Sequence, residues 1–457
     1  MNAHVPTDSL FSAALRGPSI GAVALISMIA FEAIGVAAAM PAVALDLGGV
    51  RDYALAFGGA LAAGLVGMVL AGSDCDARGP RRSMSWGLLL FGAGLLLAGL
   101  APSMTALVAG RIGQGLGGGM MAVAIYVAAA RLYPPGLRPR LFALFAAAWV
   151  LPAILGPALV GLIVETIGWR WVFLLVVTLL PLCGWLLLPS LGTDGLRAWP
   201  AAAWRRLAWS LLAAGSALAL HRLTRDDGHP AALLLVFAAL AALGLAALRL
   251  LPRGTLRGRH GLPAVVLLRG LLAASFLAAE VFIPLWLTLH AHWSVSQAGV
   301  ALSLGALCWS AGSALQARLH APALRQRALQ AGFALCAAGV AAQLLAVWGL
   351  LPAWTMPATW ALAGLGIGIA FPMLSVLLLE HADAQAQGDA AAALQLSEAL
   401  THTALLAAIG IGFARLQHIH APLAFSLVFA LCAALLVAGT ALAHRAAVRG
   451  TAAHPAA

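Results

Sequence analysis

The sequence predicts an all-α polytopic membrane protein, with two six-helix bundles and two additional central helices. Three observations predict it. The chain of 457 residues is 63% hydrophobic and 9% charged, with a mean hydropathy of +0.97. A soluble domain usually carries about 25% charged residues, and too little polar surface remains here to cover a soluble fold. Apolar blocks of about 18–25 residues recur, each long enough to cross a hydrocarbon core of about 30 Å. Arg residues cluster in every second connection between those blocks, which is how a multi-span chain records its orientation.

The blocks run approximately over 20–45, 54–72, 84–101, 104–130, 141–164, 171–189, 207–220, 231–251, 263–289, 297–317, 328–350, 355–379, 391–414 and 421–443. The block at 207–220 is short for a span, although Trp204, Arg205, Arg206 and Arg222 can snorkel at its ends. With an internal N-terminus, the inner loops collect Arg78, Arg81 and Arg82, then Arg131, Arg138 and Arg140, then Arg197, Arg205 and Arg206. Further on they collect Arg253, Arg257 and Arg259, then Arg318, Arg325 and Arg327. The outer loops hold Arg51, Arg170, Arg222, Arg225 and Arg415. This bias places both termini in the cytoplasm of a bacterial-type inner membrane. A single central crossing would turn every later Arg cluster outward, so both central blocks cross or neither does. Parity favours fourteen spans over twelve spans with a surface hairpin. The domains read as 1–190, an N-terminal six-helix bundle; 191–262, a central linker with two helices; and 263–457, a C-terminal six-helix bundle.

Several classes are excluded. The net charge of +11 is spread over loops rather than gathered in one stripe, so no nucleic-acid partner is expected. Cys75, Cys183, Cys308, Cys336 and Cys432 are scattered singles without metal or redox spacing. Residues 1–19 lack a long apolar run and a cleavage site, so the first span is expected to act as its own insertion signal. No phosphate-binding loop, zinc spacing or nucleophile elbow occurs. The chain is therefore read as a non-enzyme without cofactors, driven by an ion gradient.

Three segments carry motifs. The loop after the second block reads Gly72-Ser73-Asp74-Cys75-Asp76-Ala77-Arg78-Gly79-Pro80-Arg81-Arg82. A tight turn with an acid and several Arg can latch neighbouring helix ends. The fourth block begins around Arg111-Ile112-Gly113-Gln114-Gly115. An unpaired Arg at that depth costs about 2.5–3.5 kcal/mol, so Arg111 is expected to face the bundle interior and find acceptors. The fifth block carries Pro152, Gly156, Pro157 and Gly161, the composition of a kinked, closely packed pivot and seal.

In this order and spacing, these segments resemble the major facilitator superfamily. Gly72, Asp76, Gly79, Arg81 and Arg82 look like its signature loop. Asp74 stands where the family usually has Leu, and Ala77 where Arg follows the acid; Arg78 is the nearest basic substitute. Arg111, Gln114 and Gly115 match the family's Arg-x-x-Gln-Gly pattern. Gly156-Pro157 and Gly161 resemble its antiporter motif, and Gly168-Trp169-Arg170-Trp171-Val172-Phe173 is similar to a segment of fourteen-span drug:proton antiporters. The resemblance implies a proton-coupled exporter of amphipathic small molecules by alternating access. One-metabolite carriage keeps the same fold, while a membrane-embedded enzyme or a channel is the alternative of another class.

Acids inside the blocks are few. Glu32 lies near the middle of the first, Glu280 inside the ninth and Glu398 about two turns into the thirteenth. Burial favours the neutral form of a carboxylate, so such groups suit proton carriage. Glu32 is the leading carrier, and Glu280 is its approximate counterpart in the second half, each followed by a proline (Pro41 and Pro284). Glu398 and His402 form an i, i+4 pair able to share a proton. The expected partners are a small-molecule substrate, protons and the lipid bilayer, for a monomeric carrier.

Overall fold

The computed structural model describes residues 9–134, 137–193, 198–223, 230–319, 322–381 and 387–447. Those residues form fourteen α-helices in chain order: α1 (Arg16–Asp46), α2 (Tyr53–Arg78), α3 (Pro80–Gly99), α4 (Met104–Leu132), α5 (Arg138–Thr166), α6 (Arg170–Leu187) and α7 (Ala201–Leu223). They continue as α8 (Pro230–Leu250), α9 (Leu262–His290), α10 (Val295–Gln316), α11 (Pro322–Val347), α12 (Met356–His381), α13 (Gln387–Leu416) and α14 (Ala421–Leu442). The helical commitment follows from the medium: hydrocarbon offers no partner for a backbone N–H or C=O, so each span must satisfy its own.

Among the described residues, twelve helices are long and apolar enough to cross a membrane. Helices α7 and α8 are the two outside that set. Arg205 and Arg206 near the start of α7 lower its apolarity, and α8 is apolar over Leu234–Leu250. Both added helices are present.

The chain divides into two compact units. The first comprises Met1–Leu243, Pro284–Ser303 and Leu406–Ala414; the second comprises Gly244–Ile283, Leu304–Leu405 and Arg415–Ala457. The same packing device holds each together. In the first unit, a Cβ on Gly115 or Gly119 of α4 would overlap the backbone of Ala60 or Gly64 on α2. In the second, a Cβ on Gly364 or Gly368 of α12 would overlap Gly305 or Trp309 on α10. Small residues let helix backbones approach where lipid supplies no hydrophobic drive between helices.

Proline and glycine also set the ends. Gly79 joins α2 to α3 at φ 82°, and Pro80 opens α3 at its first turn. That φ is open to Gly and strained for other residues. Gly79→Ala is expected to destabilise by about 1–2 kcal/mol, read as an earlier thermal transition of the detergent-solubilised protein. At the opposite end of the first unit, Asp46 at the end of α1 accepts from Trp169 Nε1 at 2.9 Å and from Arg170 at 3.3 Å.

Candidate functional site

The centre of the first unit is a buried ion pair. Arg111 projects from α4, seven residues beyond its start, and its Nη1 donates to the Glu32 carboxylate on α1. The same nitrogen donates to Gln114 Oε1 at 2.8 Å, and Nε donates to the Ala56 carbonyl on α2 at 3.3 Å. Phe57 lies beside the guanidinium, 6.0 Å from ring centroid to Cζ. Glu32 is 5% exposed, Arg111 7% and Gln114 1%, so this charge pair is shielded from water and its members must satisfy each other. The sequence pattern has a direct physical sense. Arg111 ties α1 to α2, Gln114 one turn later orients it, and Gly115 lets α2 come close enough to offer its carbonyl.

The second unit holds a pair that the sequence reading did not anticipate. Arg269 on α9 donates through Nε to Glu398 on α13 at 2.5 Å. Its Nη1 donates to the Phe371 carbonyl and to Ser375 Oγ on α12, both at 2.9 Å, and the guanidinium lies 3.2 Å from the Phe371 ring centroid. Gly270 gives α13 room, since a Cβ there would press on Ser397 and Thr401. His402 is buried, and its Nε2 has no partner among the described residues. The carboxylate one turn before it is engaged by the Arg269 guanidinium instead.

Glu280 differs from both. It is half-buried on α9 and makes no hydrogen bond or ion pair among the described residues. One turn earlier, Phe276 stacks on Trp360 at 4.2 Å and meets Trp309 edge-on at 5.3 Å. An acid with no cation among the described residues, one helical turn from an aromatic cluster, has the chemistry to receive a proton or an organic cation.

At the signature loop, the engaged acid is Asp74. It is 6% exposed, accepts from Arg78 at 3.2 Å and from Ser83 Oγ at 3.1 Å, and lies 4.0 Å from Arg82. Ser83 is on the first turn of α3, so this carboxylate joins the ends of α2 and α3. Asp76 and Arg81 are exposed, and a Cβ at Gly72 would meet nothing within 4 Å. Arg131 at the end of α4 donates to the Cys75 carbonyl at 3.0 Å, adding a third helix to the junction.

Helix α5 carries Pro152 and Pro157 inside its helical run. Gly156 faces Phe31 of α1, 3.7 Å from a built Cβ. A Cβ on Gly161 would overlap Ser296, and one on Gly299 would overlap the Pro157 carbonyl. Helices α5 and α10 thus touch backbone to backbone within the first unit. Glu165 closes the contact by accepting from the Ser296 amide at 2.9 Å, where a carboxylate also meets the positive end of α10.

Two signals could have exposed the missed residues. Arg269 is a lone Arg inside an apolar block, the criterion that singled out Arg111. Asp74 stands where the resembled family has Leu, and a carboxylate in that place calls for a cation.

Comparison with known proteins agrees with this geometry. The family model of the Major Facilitator Superfamily matches residues 20–404. The chain is 30% identical over 394 residues to a Mycobacterium tuberculosis protein described as a "Probable multidrug-efflux transporter", covering 82% of this chain and 81% of that one. It is also 30% identical over 404 residues to a "Probable actinorhodin transporter" of Streptomyces coelicolor, covering 81% of this chain and 68% of that one. A solved peptide transporter in complex with sulfate shares the fold, with a TM-score of 0.65, 17% identity and 94% of each chain covered. These relatives are transporters, not enzymes. With a family model spanning most of its length and two long curated matches, this multi-pass membrane protein belongs to the Major Facilitator Superfamily.

Proposed function

We propose that the protein is a proton-coupled antiporter that exports amphipathic small molecules or drugs by alternating access. It would work as a monomer in a bacterial-type inner membrane, with both termini in the cytoplasm. The observation that carries this reading is the contrast among the three intramembrane acids. Glu32 and Glu398 are each engaged by an Arg from another helix, while Glu280 has no cation beside it among the described residues. An antiporter needs an acid that protons and cargo occupy in turn, and an ion pair that can rearrange when it does. Glu280 is assigned the exchange role, Glu32 with Arg111 and Gln114 the coupling role, and Glu398 with His402 an accessory one. The signature-loop residues Gly72, Asp76, Arg78, Gly79, Arg81 and Arg82 act as the gating latch, together with Asp74. Pro152, Gly156, Pro157 and Gly161 act as pivot and seal. The multidrug-efflux description of a long-matching relative supports the export direction.

The test is dye efflux from inverted membrane vesicles energised by a proton gradient. Glu280→Gln and Glu32→Gln should each abolish gradient-driven accumulation of a cationic dye. Wild-type accumulation in both variants would sink the assignment. A second reading, carriage of one specific metabolite, is favoured by the relative described as an actinorhodin transporter. Overexpression that protects cells against several unrelated toxic compounds supports the first reading; protection against none supports the second.

A further inference from the structure

The two intramembrane ion pairs differ in how far their carboxylates are closed off. The side chains of Glu32 and Arg111 are 7% and 8% exposed. That of Glu398 is 27% exposed, although its partner Arg269 is 11%. Arg269 Nε holds Glu398 Oε1, while Oε2 makes no hydrogen bond among the described residues and stays open to accessible space. Around the pair, α9 presents Arg269 and Gly270, α12 presents Phe371 and Ser375, and α13 itself carries His402 one turn on. Arg269 is the one charged side chain paired with Glu398 among the described residues. The guanidinium has other support: Nη1 donates to the Phe371 carbonyl and to Ser375 Oγ, and the Phe371 ring lies against its face. A cation held by a carbonyl, a hydroxyl and a π face keeps its place when the neighbouring carboxylate becomes neutral. Glu398 can therefore gain and lose a proton while Arg269 stays in position.

This acid is separate from Glu280. Arg269, Phe276 and Glu280 lie along one stripe of α9, since steps of seven and eleven residues are close to whole turns at 3.6 residues per turn. Arg269 and Glu280 stand about 16 Å apart on it at 1.5 Å per residue. Phe276, Trp309 and Phe371 touch in series between them, at 5.3 and 5.4 Å, and Phe371 ends on the Arg269 guanidinium. Aromatic rings in contact offer no chain of polar groups along which one proton could serve both acids. We propose that Glu398 is a second proton-exchange site, with Arg269 its positioning residue, so that each turnover moves two protons, one at Glu280 and one at Glu398. This rests on the antiport reading above. A hydronium ion delivers its proton to Oε2 on one side, leaving water and the neutral acid. On the other side water takes the proton back and the carboxylate pairs again with Arg269. The positive guanidinium is what draws Glu398 back to its charged form in each cycle.

The experiment counts protons per cargo for the purified full-length protein in liposomes, with ethidium as the probe and the membrane potential clamped at zero. A fixed ethidium gradient is opposed by imposed pH differences until net movement stops. A tenfold gradient is balanced by about half a pH unit if two protons exchange for one ethidium, and by about one unit if one does. The wild type should balance at about half a unit. Glu398→Gln should balance at about one unit. Arg269→Gln should do the same, because without the positive charge Glu398 keeps its proton through the cycle. Arg269→Lys, which restores the charge, should return the balance to about half a unit. A merely structural role for Arg269 would change the rate and leave the balance point where it was. If Glu398→Gln fails to fold, the wild-type count and the two Arg269 variants decide. A wild-type count of one, or a count of two retained in Glu398→Gln or Arg269→Gln, overturns the second site and leaves the antiport reading standing. Ethidium movement with no proton flux in the wild type overturns both.

Discussion

Replacing Arg111 with alanine is expected to cost about 3–5 kcal/mol of stability and to abolish transport. The guanidinium holds three helices at once, through Glu32 on α1, Ala56 on α2 and Gln114 on its own helix α4. Its removal leaves a buried carboxylate without a cation, and that uncompensated charge dominates the loss. The double variant Glu32→Gln with Arg111→Gln separates structure from coupling. Two neutral amides can hydrogen-bond across the same gap, so the double variant should recover much of the stability that Arg111→Ala loses. It should not recover gradient-driven transport, because neither side chain exchanges a proton. Thermal unfolding in detergent and dye efflux from vesicles read the two effects separately. Transport by the double variant would remove Glu32 from the coupling path.

The second large effect is expected at the α5–α10 contact. Gly161→Val and Gly299→Val each place a branched side chain where the other helix's backbone already sits. The helices must part by an ångström or more, and overpacking of this kind costs about 1–3 kcal/mol. Separation also breaks the Glu165 bond to the Ser296 amide. If α5 and α10 form the seal assigned above, the result is a folded protein that no longer couples: dye leaks down its gradient, and accumulation collapses. Gly215→Ala is the control, since a Cβ there meets nothing within 4 Å, and it should leave accumulation unchanged. A tight membrane with normal accumulation in Gly161→Val would rule out a sealing role.

The helices were legible because lipid enforces a simple rule: an apolar stretch of sufficient length becomes a self-satisfied helix. Thirteen of the expected blocks differ from the observed helices mainly at their ends, where polar residues extend a helix beyond the hydrocarbon. The block at 207–220 grows into α7, Ala201–Leu223, because Arg205 and Arg206 continue the helix while reducing its apolarity. The site was legible only in part. Spacing along one helix makes Arg111 and Gln114 visible as neighbours, but the Arg269–Glu398 pair joins residues 129 apart in sequence. Periodicity carries no information about which helix faces which. For the same reason helical spacing pairs Glu398 with His402, while packing brings it Arg269 from α9. Asp74 illustrates a different limit. A pattern centred on Asp76 directs attention one turn's fraction away, and only burial distinguishes the engaged acid from the exposed one.

The central claim is exchange of cargo for protons, and reconstitution tests it most directly. Purified protein in liposomes carrying an internal pH-sensitive dye is given an outward-directed gradient of a cationic drug, with no imposed proton gradient. The account predicts proton movement opposite to the drug, saturating with drug concentration and absent in Glu280→Gln. Drug movement with no accompanying proton flux, or identical flux in Glu280→Gln, would contradict it.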